Sequence, residues 1–411
     1  MLSALFAKPV LAADVPTTPQ EAEDQFSRAM SLRDGGELGE SIRLMRGMLA
    51  QEPKDRVKLE LAVAYYRALN FDKARSLAEE VLNQPATPES VKVTIRQFLA
   101  QVEADSKPSA FSPFVSFGYV SDSNANAGPA RSTLDIGGSS FNLGSSSLKK
   151  GDSGFNAMVG VNHRYLLGKT LQVGNSEAAA LWQSQLSYYA MSYDSIKAQD
   201  LDVVSLSTGP ALISTDNWRV SVPYQYSDIY RGHGRLATFQ GLDPTVVWKL
   251  SGWELSADFQ YQDKTFQQPQ DSGRNSELNS VGLGAGRAFA DGRYAISFTV
   301  RGFKEAAVEN RFSNHGDDLG GALIARPWAG WEFSLRHNYR SSDYSGQEPV
   351  YGIARHDNEA RSSFAANYVF REGALNNWTL GLATTVTRNR SNVSIYDYSR
   401  IQTGLTLSRA F

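Results

Sequence analysis

Few residues of this chain combine the types and spacing that chemistry requires. There are five histidines, and one of them opens the run His315-Gly316-Asp317-Asp318, whose carboxylates could hold a cation through oxygen ligands. A solvated acidic loop is the simpler interpretation of that run. No His-x-Ser pair or other nucleophile arrangement stands out. We therefore predict no catalytic residue, no metal site and no cofactor.

A second polar group, Asp122-Ser123-Asn124, follows the first predicted strand. Asp, Ser and Asn are turn formers, so a tight exit from a strand would use them in any case. The alternative is that these three residues take part in a passage through the protein or shape the first outer loop. The sequence leaves both interpretations open.

Six further charged residues alternate with apolar residues inside predicted strands. They are Arg219, Glu254, Asp258, Glu332, Arg336 and Arg340. Such residues are expected on the wet face of a sheet, here the lumen of a water-filled barrel. Because both signs are present, they indicate no simple anion or cation filter.

The elements that carry these residues alternate apolar and polar positions from residue 112 to the end of the chain. In one segment Trp331, Phe333 and Leu335 fall on one face and Glu332 and Ser334 on the other. Such segments continue for roughly ten residues, long enough to cross a bilayer at a tilt, and no apolar run of about 18 residues predicts a transmembrane helix. The predicted fold is an all-β transmembrane barrel of antiparallel strands, preceded by a small all-α domain.

Fourteen strands are predicted, joined alternately by short and by longer polar connectors. Their ranges are 113–120, 153–166, 177–191, 199–213, 218–230, 236–249, 253–265, 278–289, 294–304, 318–328, 331–341, 357–370, 378–388 and 399–411. An even count puts both ends of the barrel on the periplasmic side of an outer membrane. Residues 168–175 are predicted as a short connector and residues 121–152 as the longest outer loop.

The tryptophans support this interpretation. Six of the seven lie beside the short connectors, at the same end of their strands: Trp218, Trp248, Trp253, Trp328, Trp331 and Trp378. That position is typical of an aromatic girdle at the level of the lipid headgroups. The final strand ends in the aromatic Phe411, which is typical of substrates of the outer-membrane insertion machinery.

Residues 14–107 have helical spacing instead. Phe26 and Ala29 match Leu59 and Ala62 at an offset of 33, which is typical of tetratricopeptide-like helix pairs. A third unit is predicted to begin at Thr87, as the N-cap of a helix. Two roles stay open for this domain. One is to brace or plug the barrel, and the other is to bind a partner on a concave face.

The predicted domains are a residual signal peptide over 1–13, a periplasmic helical domain over 14–107 and an outer-membrane barrel over 108–411. The 41 basic and 43 acidic residues leave no basic footprint for nucleic acid. The lack of cysteine suits an oxidising compartment and excludes a lipid-anchoring N-terminal cysteine.

Particular stretches resemble the surface lipoprotein assembly modulators, or Slam proteins, the outer-membrane component of type XI secretion. Residues 60–66, 70–74 and 91–98 look like the repeat domain of that family. Residues 117–126 look like its Gly-Tyr…Asp-Ser-Asn approach to the barrel. The resemblance covers nearly the whole chain, and the motif in 117–126 is its specific part.

What this resemblance implies is an outer-membrane protein of a Gram-negative bacterium that moves client proteins to the cell surface. Clients of the family are surface lipoproteins and soluble haem or metal-acquisition proteins. The helical domain would handle the client, with periplasmic chaperones as further partners, and the barrel would supply the passage, with Asp122, Ser123 and Asn124 at its approach. Two alternatives stay open: an exopolysaccharide exporter, and a simple porin with a periplasmic appendage.

Overall fold

The computed structural model describes residues 18–136, 139–145, 147–174, 176–215, 217–290 and 292–411. The predicted signal peptide, residues 1–13, lies outside the described residues. The chain divides into two compact units. Unit 1 contains the residues up to Lys107 together with the segments Gly168–Ala180 and Ile213–Trp218, and unit 2 contains the rest.

Five helices make up most of the part of unit 1 that the structure describes. They are α1 (Pro19–Asp34), α2 (Leu38–Gln51), α3 (Asp55–Arg67), α4 (Phe71–Leu82) and α5 (Glu89–Asp105). Thr18 starts α1 with a capping box, in which its hydroxyl accepts from the Glu21 amide and the Glu21 carboxylate accepts from the Thr18 amide. None of the described helices is long and apolar enough to cross a lipid bilayer.

Small side chains set the packing of these helices. Ala29, Ala62, Ala74 and Ala78 are fully buried, so the helix backbones can approach closely. The buried Arg33 bonds Glu60 and Asp34 and ties α1 to α3. The hydrogen bond from Arg33 lowers the pKa of Asp34, because the ionised carboxylate is the better acceptor.

Eighteen strand segments follow. They are β1 (Ser109–Asp122), β2 (Thr133–Ile136), β3 (Ser139–Asn142), β4 (Asp152–Val173), β5 (Ser176–Tyr193), β6 (Leu201–Ser214), β7 (Trp218–Ser221), β8 (Tyr224–Arg231), β9 (Gly234–Leu242), β10 (Thr245–Leu250), β11 (Trp253–Phe266), β12 (Ser276–Phe289), β13 (Tyr294–Ala307), β14 (Asn314–Ala325), β15 (Trp331–Glu348), β16 (Ile353–Val369), β17 (Thr379–Ser391) and β18 (Tyr398–Ala410). Three short 3-10 turns lie at Lys197–Gln199, Pro269–Arg274 and Ser394–Tyr396.

Sixteen of these segments form one closed antiparallel sheet, and β2 and β3 form a separate hairpin in the long connector between β1 and β4. Pro223 divides one barrel strand into β7 and β8, and Pro244 divides the next into β9 and β10. The sixteen segments are therefore fourteen strands, which confirms the predicted fold. Closure occurs where β1 pairs with β18, over nine residue pairs from Phe114↔Ala410 to Asp122↔Gln402.

The two faces of this sheet differ in character. Large apolar side chains such as Leu319, Leu335 and Leu405 are about half exposed on the outer face. The alternate positions carry half-buried polar and charged side chains that contact one another inside the barrel. A wall of this kind has every strand edge paired and an apolar exterior, which is how a β-structure fits a lipid bilayer.

Three local predictions are wrong. The predicted connector 168–175 is mostly strand, because β4 continues to Val173 and β5 starts at Ser176. His315 lies in β14 instead of a loop, so the two adjacent carboxylates of the run, Asp317 and Asp318, point to opposite faces of the sheet and cannot both bind one cation. Thr87 does not cap α5, because the N-cap of that helix is Pro88. The Thr87 hydroxyl donates instead to the Val81 carbonyl.

Candidate functional site at the barrel seam and lumen

Asp122 is the last residue of β1 and is 1% exposed. Because Phe117 and Tyr119 point outward, the alternation turns Asp122 into the barrel. The two oxygens of its carboxylate share a bifurcated hydrogen bond from Nε of Arg400 on β18, at 3.0 and 2.9 Å, and Nη2 of Arg400 also donates to Oδ2. Gln402 Nε2 and the Tyr193 hydroxyl donate to it at 3.1 and 3.0 Å. A buried carboxylate is thus fully partnered at the end of the seam where β1 ends and β18 begins.

The next two residues continue this contact. The Ser123 amide donates to the Ile401 carbonyl at 2.9 Å, and the Ile401 amide donates to the Ser123 hydroxyl at 2.8 Å. Asn124 is fully buried, and its Nδ2 donates to the carbonyls of Ser399 and Gly128 at 3.0 and 2.9 Å. The three residues predicted from the sequence therefore form one group, the seam latch, which joins β1 to β18 and fixes the start of the long connector between β1 and β4.

A polar recess of about 510 Å³ lies beside the seam latch. Its carboxylates are already engaged. Asp152 accepts from the amides of Ser195 and Ile196 at 3.0 and 2.7 Å, and Asp194 accepts from the Tyr119 hydroxyl at 2.7 Å. Within the described residues, no group of three or more acidic, histidine or cysteine side chains could hold a metal ion.

The predicted lumen charges lie on the polar face of their strands, and most have partners. Glu254 pairs with Arg219 at 2.9 Å, and Asp258 pairs with Arg301 at 2.6 Å. Glu332 forms a third ion pair, with Arg326 at 2.7 Å. The Arg340 guanidinium makes a cation–π contact, 4.0 Å from the centre of the Phe303 ring. Arg336 is exposed on the same face of β15. The structure brings these residues into separate neighbouring pairs and not into one cluster.

Sequence reasoning missed a second group of largely buried charges on the polar face, whose side chains are 12% and 14% exposed. Arg355 lies between the rings of Tyr344 and Tyr396, at 3.7 and 3.9 Å from their centres, and pairs with Asp357 at 3.1 Å. Tyr396 belongs to the turn after β17, so this loop folds onto the polar face. The alternation of β16 could have placed Arg355 on the polar face, but nothing in the sequence shows its tyrosine partners.

The predicted aromatic girdle lies at the ends of the strands beside short turns. Trp331 stacks on Phe333 with ring centres 5.6 Å apart, and Trp328 meets the same ring edge-on. Arg409 lies 5.9 Å from the Trp378 ring, so its charge is held at the rim. The remaining members of the set are Trp218, Trp248 and Trp253. Trp218 and Trp253 are the first residues of β7 and β11, and Trp248 lies in β10 shortly before the turn to β11.

A second aromatic row lies at the other end of the strands, and the sequence analysis did not single it out. Tyr119, Tyr188 and Tyr339 are exposed on the outer face. Their hydroxyls donate to Asp194 just after β5, to Asp202 on β6 and to Asn358 on β16. Tyrosines at both borders of an apolar band are typical of a membrane barrel. The sequence signal that could have revealed this row is the position of the tyrosines near the ends of the apolar alternation.

Comparisons with known proteins identify no matching family model and no matching curated protein. Among solved structures, the outer membrane protein opdK of Pseudomonas aeruginosa aligns at a TM-score of 0.36 and 8% identity, covering 74% of this chain and 98% of that one. OpdL of the same organism gives 0.36 and 12%, covering 74% and 98%. OccAB4 of Acinetobacter baumannii gives 0.34 and 9%, covering 74% and 99%.

Proposed function

We propose that this chain is an outer-membrane translocator that carries client proteins to the cell surface. In this proposal the helices of unit 1 receive the client and the barrel supplies the passage. The clients are surface lipoproteins or soluble haem or metal-acquisition proteins, as the resemblance to Slam proteins implies.

The observation that carries the proposal is a set of contacts inside unit 1, between the helices and two short strand connections. Lys73 Nζ on α4 lies 2.6 Å from Glu177 at the start of β5, and Asn70 Nδ2 donates to the same carboxylate at 3.2 Å. The amide of Gly39 on α2 donates to Asn217 Oδ1 at 3.1 Å. In outer-membrane barrels the short turns face the periplasm, so helices held on short turns would meet a client before export.

The lumen is consistent with a polypeptide passage. Barrels of about eight strands are filled by side chains, and those of about sixteen enclose an aqueous channel. Fourteen strands leave room for an extended chain but not for a folded domain. Pairs such as Arg219–Glu254 and Asp258–Arg301 present both charges to the passage, so a client of mixed composition would meet no single-sign barrier.

A channel for small polar solutes is the second candidate, and one observation favours it. Tyr396 and Arg355 bring the loop after β17 onto the polar face of the wall, which narrows the space available for a polypeptide. A solute channel would give no role to the contacts that α2 and α4 make with Asn217 and Glu177.

Protease shaving of intact cells tests the proposal. Cells co-express this chain with a secreted or lipidated protein encoded beside it, and the full-length chain is compared with a version lacking residues 17–105. We expect client cleavage only with the full-length chain. A protease-sensitive reporter protein in the periplasm serves as the control, because it stays uncleaved only while the outer membrane is intact. Equal protection of the client in all cells would contradict the proposal and favour solute or polysaccharide export.

A further inference from the structure

Two arginines lie side by side on the outer face of the barrel, near the end of β17. Arg388 and Arg390 are two residues apart, so their side chains point to the same face of the strand. Leu382 and Val386 have the same parity and are 48% and 44% exposed on the outer face. Both arginines are exposed as well. Within a few residues, the outer face of β17 therefore changes from an apolar strip to a pair of guanidinium groups.

The side chains beside the two arginines carry no charge. Arg388 lies between Ala360 of β16 and Ser399 of β18. Arg390 lies beside Asn358 of β16. These neighbours are small or polar, so they leave the guanidinium groups open to the outside of the barrel and do not neutralise them.

The acidic groups in this region neutralise the pair only in part. Nη2 of Arg388 lies 3.3 Å from Asp397, in the connection to β18, and the Arg388 side chain is still 45% exposed. In the part of the chain that the structure describes, Arg390 has no ion pair. Asp343 lies two strands away on β15, where it contacts Nδ1 of His356 at 2.6 Å. Two cations beside one carboxylate leave a net positive charge at the end of β17.

The position of the arginines along the strand indicates which anion they meet. Trp378 of the aromatic girdle lies ten residues before Arg388 in the sequence. At ~3.3 Å per residue and a strand tilt of about 40°, ten residues span roughly 25 Å, the height of the apolar band of a membrane barrel. At the same level, Arg388 is joined through Ala360 to Tyr339 of the second aromatic row. The arginines therefore lie at the far border of the band, at the depth of lipid phosphate groups.

We propose that Arg388 and Arg390 bind the phosphate group of a membrane lipid whose acyl chains lie along Leu382 and Val386. Guanidinium groups match phosphate with paired, charge-assisted hydrogen bonds. A dissolved anion would make no use of the apolar strip, whereas a phosphorylated lipid contacts both parts of this face. The short turns of outer-membrane barrels face the periplasm, so this end of β17 lies in the outer leaflet and the ligand is a phosphorylated glycolipid. The site is on the outside of the wall and does not depend on what passes through the lumen.

Lipid binding to the full-length chain in detergent, measured by native mass spectrometry, tests the site. The probes are diphosphorylated lipid A and the same lipid A with both phosphates removed. We expect the dephosphorylated form to bind about 25-fold more weakly, a factor of about five for each arginine. This comparison uses the unsubstituted chain, so it does not depend on the folding of a variant.

The substitutions Arg390→Gln and Arg388→Gln locate the binding. We expect R390Q to lower the affinity for diphosphorylated lipid A about fivefold, and the double variant R388Q/R390Q to lower it about 25-fold. The matched control is Arg371→Gln, which removes the same charge from an exposed arginine in the connection between β16 and β17, at the other end of β17. We expect R371Q to bind as the unsubstituted chain does.

Three results would overturn the inference. Equal binding of the two forms of lipid A would show that the acyl chains alone are recognised. Equal losses in R390Q and R371Q would assign the binding to net charge and not to this pair of arginines. Inorganic phosphate that binds as tightly as the lipid would identify a site for free phosphate. None of these results bears on client export, which the shaving assay measures separately.

Discussion

Replacing Asp122 by alanine would open the seam latch. The substitution removes the carboxylate that partners Arg400, whose side chain is 26% exposed, while Asp122 itself is fully buried at 0%. Removing one partner of a buried ion pair costs about 3–5 kcal/mol, because the other charge stays buried without compensation. The partial exposure of Arg400 places the expected loss near the lower end, at about 3 kcal/mol. That corresponds to roughly a hundredfold change in the folding equilibrium.

Urea unfolding of the protein in lipid vesicles, followed by tryptophan fluorescence, measures this loss. The full cycle compares D122A, R400A and the double variant. Because the two side chains are in direct contact, we expect the double variant to lose about 2 kcal/mol less than the sum of the single variants. Strictly additive losses, within about 0.5 kcal/mol, would refute the assignment of the pair as a coupled latch.

Hydrogen exchange locates the effect. The amides of Ser123 and Ile401 bond across the seam, so both should exchange faster in D122A. The matched control is D258A, which breaks the Asp258–Arg301 pair at 2.6 Å away from the seam. We expect D258A to lower stability while exchange at 123 and 401 stays unchanged. Equal exchange in both variants would show that Asp122 does not hold the strands together.

Three further outcomes follow from the structure. Lys73→Glu should abolish client cleavage in the shaving assay by placing like charges at 2.6 Å from Glu177, and the exchanged pair K73E/E177K should restore it; failure of the exchanged pair would contradict the role of this contact. Cysteines at the paired positions Ser116 and Ser408 should form a disulfide across the seam, and export that continues unchanged in the oxidised protein would exclude seam opening. Leu319→Arg should destabilise the barrel in vesicles by about 2–4 kcal/mol if this residue faces the bilayer centre, whereas an effect no larger than that of Leu319→Ala would place it elsewhere.

The number of strands was predictable because alternation depends on residue type alone. From Trp253 to Tyr261 in β11 and from Trp331 to Leu335 in β15 every second residue is apolar, so the period, the faces and the approximate bounds follow directly from the sequence. The end of β4 was not predictable in the same way. Gly168 and Gly174 resemble turn residues, and both have positive φ, at 67° and 59°. Only Gly174 lies in the turn, and Gly168 is accommodated inside the strand.

The seam latch shows the other limit. Turn-forming residue types predicted that Asp122, Ser123 and Asn124 end a strand, but their partners across the seam lie 275 to 280 residues away in the chain. Such pairs exist only when the barrel closes in one register, and alternation does not determine the register. The tyrosine partners of Arg355 depend on a loop conformation, which has no period at all.

The prolines of the wall have a mechanical consequence. Pro210, Pro223 and Pro244 lie on three successive strands, and the carbonyl of each accepts from the strand that follows, from Val222, Asp243 and Phe259. Each proline lacks the amide that would complete the return bond, so the ladder has a line of missing donors running across it. If the cross-section of the barrel changes from round to oval, bending would concentrate along this line, which makes it a crease in an otherwise stiff cylinder.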